Sequence, residues 1–334
     1  MKRFIALFLL LSLLCLWGCG KPAEQTAPTT EATQVTASSD VPQTTEETEA
    51  PVPSTTEEET GETCTPVLYK VTGENGAVLY LFGSIHATDY RAYPLPDYVM
   101  QAYEESEYLA VECDITDYAA QGEIAAKMLT SNGTTIADHI GQETYEAAKA
   151  FLTEQGQYYS LLDSVSPAVW MSLLENIFTE MSGLDAMDGI DLFFLGLAAE
   201  ENKEVREVES LEFQYNLLTG FSDELMSLII GSYVEDPQAS ADEVLQLYEV
   251  WLAGDEAAIA ASVSEEPAAE EAELYAEYTS KLITERNISM ADTAEDYLAQ
   301  GGTGFFVVGA AHIIGEGACA ELLAQRGYSV ERIG

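Results

Sequence analysis

The chain holds three histidines, and two of them stand at the same offset from the same kind of apolar run. Leu79-Tyr80-Leu81-Phe82 leads into Gly83-Ser84-Ile85-His86, and Phe305-Phe306-Val307-Val308 leads into Gly309-Ala310-Ala311-His312. A glycine at that point lets the backbone turn sharply and lets another group approach closely. Neutral imidazole is the commonest metal ligand in proteins and a ready proton acceptor near neutral pH. The pair therefore points to a shared ion or a shared water, against the plainer alternative of two satisfied strand-end histidines. Glu112 follows Tyr108-Leu109-Ala110-Val111, a run expected to neighbour the strand that leads to His86. Its carboxylate is a candidate metal ligand or the base that activates water; the alternative is a strand terminus meeting solvent. Arg286, in Thr284-Glu285-Arg286-Asn287, either pairs with Glu112, Glu209 or a substrate carboxylate, or bridges acids on a helix surface. His139 falls on no motif and reads as a surface residue.

These residues need a frame that brings both ends of the chain together. Val67 to Val71 and Ala77 to Gly83, around a Glu-Asn-Gly turn, read as a hairpin. Asp97 to Ser106 has helical apolar spacing, and Tyr108 to Val111 reads as a buried strand. From about Tyr118 to Gln300 the pattern is helical, broken at Asn132-Gly133, Gly183, Gly220 and Pro267, with one strand at Glu204 to Val208. A strand at Thr303 to Val308, a helix at Gly315 to Gln325 and a closing strand at Tyr328 to Ile333 complete the chain. Strand, Gly-x-x-His, helix and strand thus occur twice. The expectation is an α/β fold whose central sheet is built from two βαβ-like halves with a large helical insertion between them. Parallel strands would place both histidines at one carboxyl edge, where open α/β sheets bind ligands.

The N-terminus sets a compartment. Lys2 and Arg3 precede an uncharged apolar run from Phe4 to Leu16, too short for a comfortable membrane span, so residues 1–18 read as a signal peptide. Leu16-Trp17-Gly18-Cys19 resembles the lipobox of bacterial lipoproteins, which implies lipidation of Cys19 and a lipid-anchored protein on the outer face of the cell membrane. Residues 20–63 are rich in Thr, Glu, Pro and Ser and cannot bury enough apolar surface to offset ordering, so residues 19–63 read as an anchored, acidic, disordered stalk. Residues 64–334 are then one folded domain. Ten of the 58 acids and three of the 13 bases precede residue 64, leaving 48 against 10 and a formal charge near −38. Such a field excludes nucleic acid and direct lipid-surface binding and favours cationic peptides and divalent metal ions. Three cysteines remain in the domain, Cys64, Cys113 and Cys319, too few and too widely spaced for a disulfide framework, although one bridge is open. No Cys-x-x-Cys zinc pair and no Gly-x-Ser-x-Gly nucleophile elbow occurs.

Gly83-Ser84-Ile85-His86 with Tyr93-Pro94-Leu95-Pro96, Val111-Glu112, Gly189-Ile190-Asp191, Glu209-Ser210 with Gln214, Arg286-Asn287 with Met290, and Val308-Gly309-Ala310-Ala311-His312 together resemble the TraB/GumN family. That family includes the Tiki metalloproteases and is similar at longer range to the erythromycin esterase and ChaN-like group. The resemblance spans about Leu68 to Ile333. It implies a hydrolase, peptidase-like in the Tiki branch, dependent on a divalent metal such as manganese, cobalt or zinc. Carried over by motif, His86, His312 and Glu112 would hold the metal and its water, with Arg286 and Glu209 in support. The rival expectation is a non-catalytic lipoprotein of the same fold that binds a peptide or signal at that edge.

Overall fold

The computed structural model describes residues 64–128, 133–264 and 268–334. The expected signal peptide, Cys19, the stalk, and the breaks at Asn132 and Pro267 lie outside the described residues. Among those described, no helix is long and apolar enough to cross a membrane.

Six strands form one sheet: β1 (Leu68–Thr72), β2 (Val78–Ser84), β3 (Tyr108–Val111), β4 (Glu204–Glu207), β5 (Thr303–Gly309) and β6 (Ser329–Arg332). β1 and β2 make the expected hairpin, with Leu68 opposite Phe82 and Thr72 opposite Val78. The order across the sheet is β4-β3-β5-β2-β1-β6. The pairs β4/β3, β3/β5 and β5/β2 are parallel, and β1 is antiparallel to both β2 and β6. The expectation that the strand ending at Glu112 neighbours the one leading to His86 is therefore corrected: β5 lies between them. The two strand-helix-strand units interlock, the first stepping over β5 and the second stepping over β2 and β1.

β2, β3 and β5 read as nearly unbroken apolar runs because both of their faces are covered, as parallel strands require. Tyr80, Phe82, Leu109, Val111, Phe305 and Val307 face one helical layer, where Tyr103 of the helix Asp97–Glu104 and Phe194 of the insertion meet them. Leu79, Leu81, Ala110, Phe306 and Val308 face Met290, Ala291, Ala294 and Leu298 of the helix Glu285–Gln300. Each such Phe or Leu contributes about 1.5–3 kcal/mol by leaving water. The edge strands β4 and β6 are instead exposed and charged, at Glu204, Arg206, Glu207, Glu331 and Arg332, which discourages pairing with another chain.

Among the described residues between β3 and β5, β4 is the one named strand and the other elements are helices. Pro167 and Pro237 open long helices at the position where a missing N–H costs nothing, and Gly183, in the left-handed region at φ 82°, closes the first of them. The helix Ala272–Thr279 runs through a π-helical turn, Ser280–Thr284, directly into Glu285–Gln300. After β5 the chain departs from expectation: a four-residue helix, Ala310–Ile313, begins at once and carries His312. The expected helix at Gly315 starts only at Cys319, because Gly315 and Gly317 sit at φ 114° and 71° and break the chain first.

Candidate functional site

The register of β2 and β5 places Ser84 opposite Gly309, so both Gly-x-x-His turns leave the sheet side by side. Gly83 is required there, since a Cβ would stand 2.9 Å from the Cα of Ala310. The helix Ile190–Glu201 docks its N-terminus on the first turn, with Ile190 N–H donating to the Ile85 carbonyl at 3.0 Å. Gly189 allows this approach, because a side chain there would collide with the His86 carbonyl. The same contact delivers Asp191. Its Oδ2 lies 2.7 Å from His86 Nδ1, and its Oδ1 accepts from Ser84 Oγ at 2.9 Å. Burial alone would push the His86 imidazolium down, but the Asp191 charge and hydrogen bond outweigh it, with Glu112 adding, and hold the pKa up at about 9.

His312 is fully buried, and its Nδ1 lies 2.7 Å from Asn287 Oδ1. Asn287 Nδ2 donates to the Gly317 carbonyl at 3.1 Å, which fixes the amide so that Oδ1 faces the ring as acceptor. Nδ1 of His312 is then the protonated nitrogen, and Nε2 carries a lone pair. Burial, with the charges of Arg286 and His86 behind it, holds this imidazole well below the ordinary range, so it is neutral. The Nε2 atoms of His86 and His312 are both buried without a hydrogen-bond partner. Buried polar atoms are almost always paired, and leaving one unpaired costs about 1–3 kcal/mol.

Arg286 joins the acids. Its Nε donates to Glu209 Oε1 at 2.9 Å and its Nη2 to Glu209 Oε2 at 2.9 Å, while Nη2 also reaches Glu112 Oε2 at 2.7 Å. At 1% exposure it is no helix-surface arginine. Burial opposes its charge, but the two carboxylates raise its pKa above the usual range. Burial in turn raises Glu209 despite Arg286. Gln214 Nε2 donates to both Glu112 Oε2 and Glu209 Oε2, at 3.1 and 3.2 Å, and Cys113 Sγ donates to Gln214 Oε1 at 3.2 Å. Glu112 meets no solvent as a strand terminus would: it is 5% exposed, and its Oε1 accepts from the Gly309 N–H at 2.7 Å. That bond ties the end of β3 to the second histidine turn across the sheet.

The structure thus sets three hydrogen-bonded groups about the ends of β2, β3 and β5: His86 with Asp191 and Ser84, His312 with Asn287, and Glu112 with Arg286, Glu209 and Gln214. Sequence reasoning did not assign Asp191, Asn287 and Gln214 their roles, although each lies within a motif that carries the resemblance. Nor did it assign Glu175 of the helix Pro167–Ser182, which is 3% exposed, accepts from Tyr233 Oη at 2.9 Å and feels the charge of His86. His139, with a quarter-exposed side chain, pairs with Asp223 at 2.9 Å. Cys64, Cys113 and Cys319 are free and buried, so no disulfide joins them.

Both rings are held at Nδ1 by a carboxylate or amide with Nε2 unpartnered, as ligating histidines are held, but only His312 has a free lone pair there; at His86 a divalent ion would have to displace the Nε2 proton that Asp191 stabilises. A complete cage is not preassembled, since among the described residues no group of three or more His, Cys, Asp or Glu stands ready as ligands. A mixed sheet with paired Gly-x-x-His turns at the carboxyl edge of its parallel strands, braced by a buried Glu-Arg-Glu network, defines an α/β class with a sheet-edge histidine site. Within that class the chain belongs to the TraB/PrgY/gumN family, whose sequence profile matches residues 67–332. No curated protein and no solved structure matches the chain.

Proposed function

We propose that the protein is a divalent-metal-dependent hydrolase, peptidase-like and anchored at the outer membrane face through Cys19. The observation that carries the reading is the pair of buried, unpartnered Nε2 atoms at one sheet edge. A bound manganese, cobalt or zinc ion would lower the pKa of a coordinated water and polarise an amide or ester carbonyl. His86 and His312 would hold it through Nε2. Glu112 would join through Oε1, which accepts only the Gly309 N–H; a carboxylate offers about four acceptor sites, and three of these are taken. Arg286 would aim Glu112 through their 2.7 Å ion pair, and Glu209 would hold the guanidinium in place at 2.9 Å. Asp191 orients His86, and Asn287 fixes the tautomer of His312. The acidic domain would attract cationic peptides.

The test is a peptide-library cleavage screen with each metal supplied, run beside His86→Ala, His312→Ala and Glu112→Gln. Metal-dependent cleavage that falls to a similar residue of activity in all three folded variants supports the reading, because groups that act as one unit lose most of the effect when any member goes. Full cleavage by the folded histidine variants contradicts it.

A further inference from the structure

A cavity of about 50 Å³ lies against His86 where the sheet edge meets the helical insertion. Ile85 and His86 come to it from the first turn, Ala310 from the second, and Leu247, Trp251 and Ile259 from the helices Pro237–Leu252 and Glu256–Ser262. Apart from His86 Nε2, the side-chain donors on its wall are already used within the protein. Ser84 Oγ bonds Asp191 at 2.9 Å, Trp251 Nε1 bonds the Gly83 carbonyl at 2.8 Å, and Ser262 Oγ bonds the Ile259 carbonyl at 2.7 Å. What the cavity offers an occupant is carbon, beside a ring whose Nε2 has no partner.

Well-packed interiors keep few voids larger than a water, and an apolar one stays dry and accepts apolar groups. A water-sized group needs roughly 10–15 Å³ of such space, so this cavity takes about three or four carbon-sized groups. That is the size of a valine or leucine side chain and too small for an aromatic ring. The small Ala310 and Ala311 after Gly309 keep it open on the β5 side.

We infer that this cavity receives a small aliphatic side chain of the substrate peptide, next to the bond presented to the two histidines, and so sets residue preference. The inference rests on the hydrolase reading for the word substrate; the pocket and its ligand class can be tested without turnover. Trp251, on the cavity wall, supplies the reporter: its indole N–H resonance in the ¹⁵N-labelled full-length protein, assigned with Trp251→Phe, is followed while N-acetyl amides of valine, glycine and phenylalanine are added. The valine amide is expected to shift it saturably, with the glycine and phenylalanine amides at least about tenfold weaker, the scale on which a hydrophobic pocket discriminates one or two carbons. Ile259→Ala should extend binding to the phenylalanine amide, and Ile259→Phe should abolish the valine response, each with an unchanged circular dichroism spectrum. A Trp251 resonance indifferent to all three amides, or equally sensitive to them, in a folded protein overturns the inference. If peptides are cleaved with no side-chain preference while Trp251 stays silent, the pocket fails and the hydrolase reading stands. If Trp251 follows the predicted order and nothing is cleaved, the pocket stands and the hydrolase reading fails.

Discussion

Asp191 and Asn287 occupy matching places behind the two histidines and do different things. A carboxylate behind His86 raises the imidazolium to about 9, whereas a neutral amide behind His312 leaves a ring that does not charge. Neither partner is legible in sequence, because Asp191 is 105 positions from His86 and Asn287 is 25 from His312, joined only by the fold. The motif letters were readable, while the pairing belongs to the topology. Glu175 is hidden more deeply still, since nothing in Leu173-Leu174-Glu175-Asn176 separates it from a solvated helix face. Burial pushes its carboxyl from 4.5 up to about 8, with Tyr233 and His86 opposing. A raised folded-state pKa means the folded protein holds a proton that the unfolded chain has released. Glu175 therefore stabilises the fold fully below its unfolded pKa, and that stability is lost as pH rises from about 4.5 through about 8. Each unit of that window weighs about 1.4 kcal/mol. Glu175→Gln should flatten the fall of melting temperature across this range; an unchanged slope would mean that Glu175 is ionised in the fold.

At the scale of elements, the helix Ile190–Glu201 shows how one segment can be constrained at one end and free at the other. Gly189, just ahead of it, touches the His86 carbonyl so closely that any side chain must push the helix away and withdraw Asp191. Gly196, within the same helix, has open space where a Cβ would go. Gly189→Ala should cost about 1–3 kcal/mol, the usual range for overpacking, and should lower any site activity. Gly196→Ala should instead stabilise by about 0.5–1 kcal/mol through helix entropy. Thermal melts of the two variants decide this, and a harmless Gly189→Ala would remove the docking contact from the account. Strand identities were readable from apolar runs and turn residues, but strand order was not. A run such as Phe305-Phe306-Val307-Val308 fits any position covered on both faces, so nothing in it says that β5 enters between β2 and β3.

The whole molecule couples its second and fifth strands: the site exists only when residues near 86 and near 312 meet across a helical insertion of some two hundred residues. The repeated Gly-x-x-His made that meeting predictable, because repetition at both ends implies two strands emerging at one edge. The corresponding expectation for the chain before residue 64 is anchoring. Cys19→Ala should move the protein from the membrane fraction to the soluble fraction on cell fractionation, and retention of the variant would exclude lipidation as the anchor. The central claim is that His86 and His312 form one metal-binding unit. Its most direct test is the metal content of the wild-type protein, His86→Ala and His312→Ala after equilibrium dialysis against manganese, cobalt or zinc, with circular dichroism to establish folding. One ion per wild-type chain and none in either folded variant is the expected result; an ion retained by either folded variant, or a wild-type chain that takes up none, would show that the two histidines do not hold a metal together.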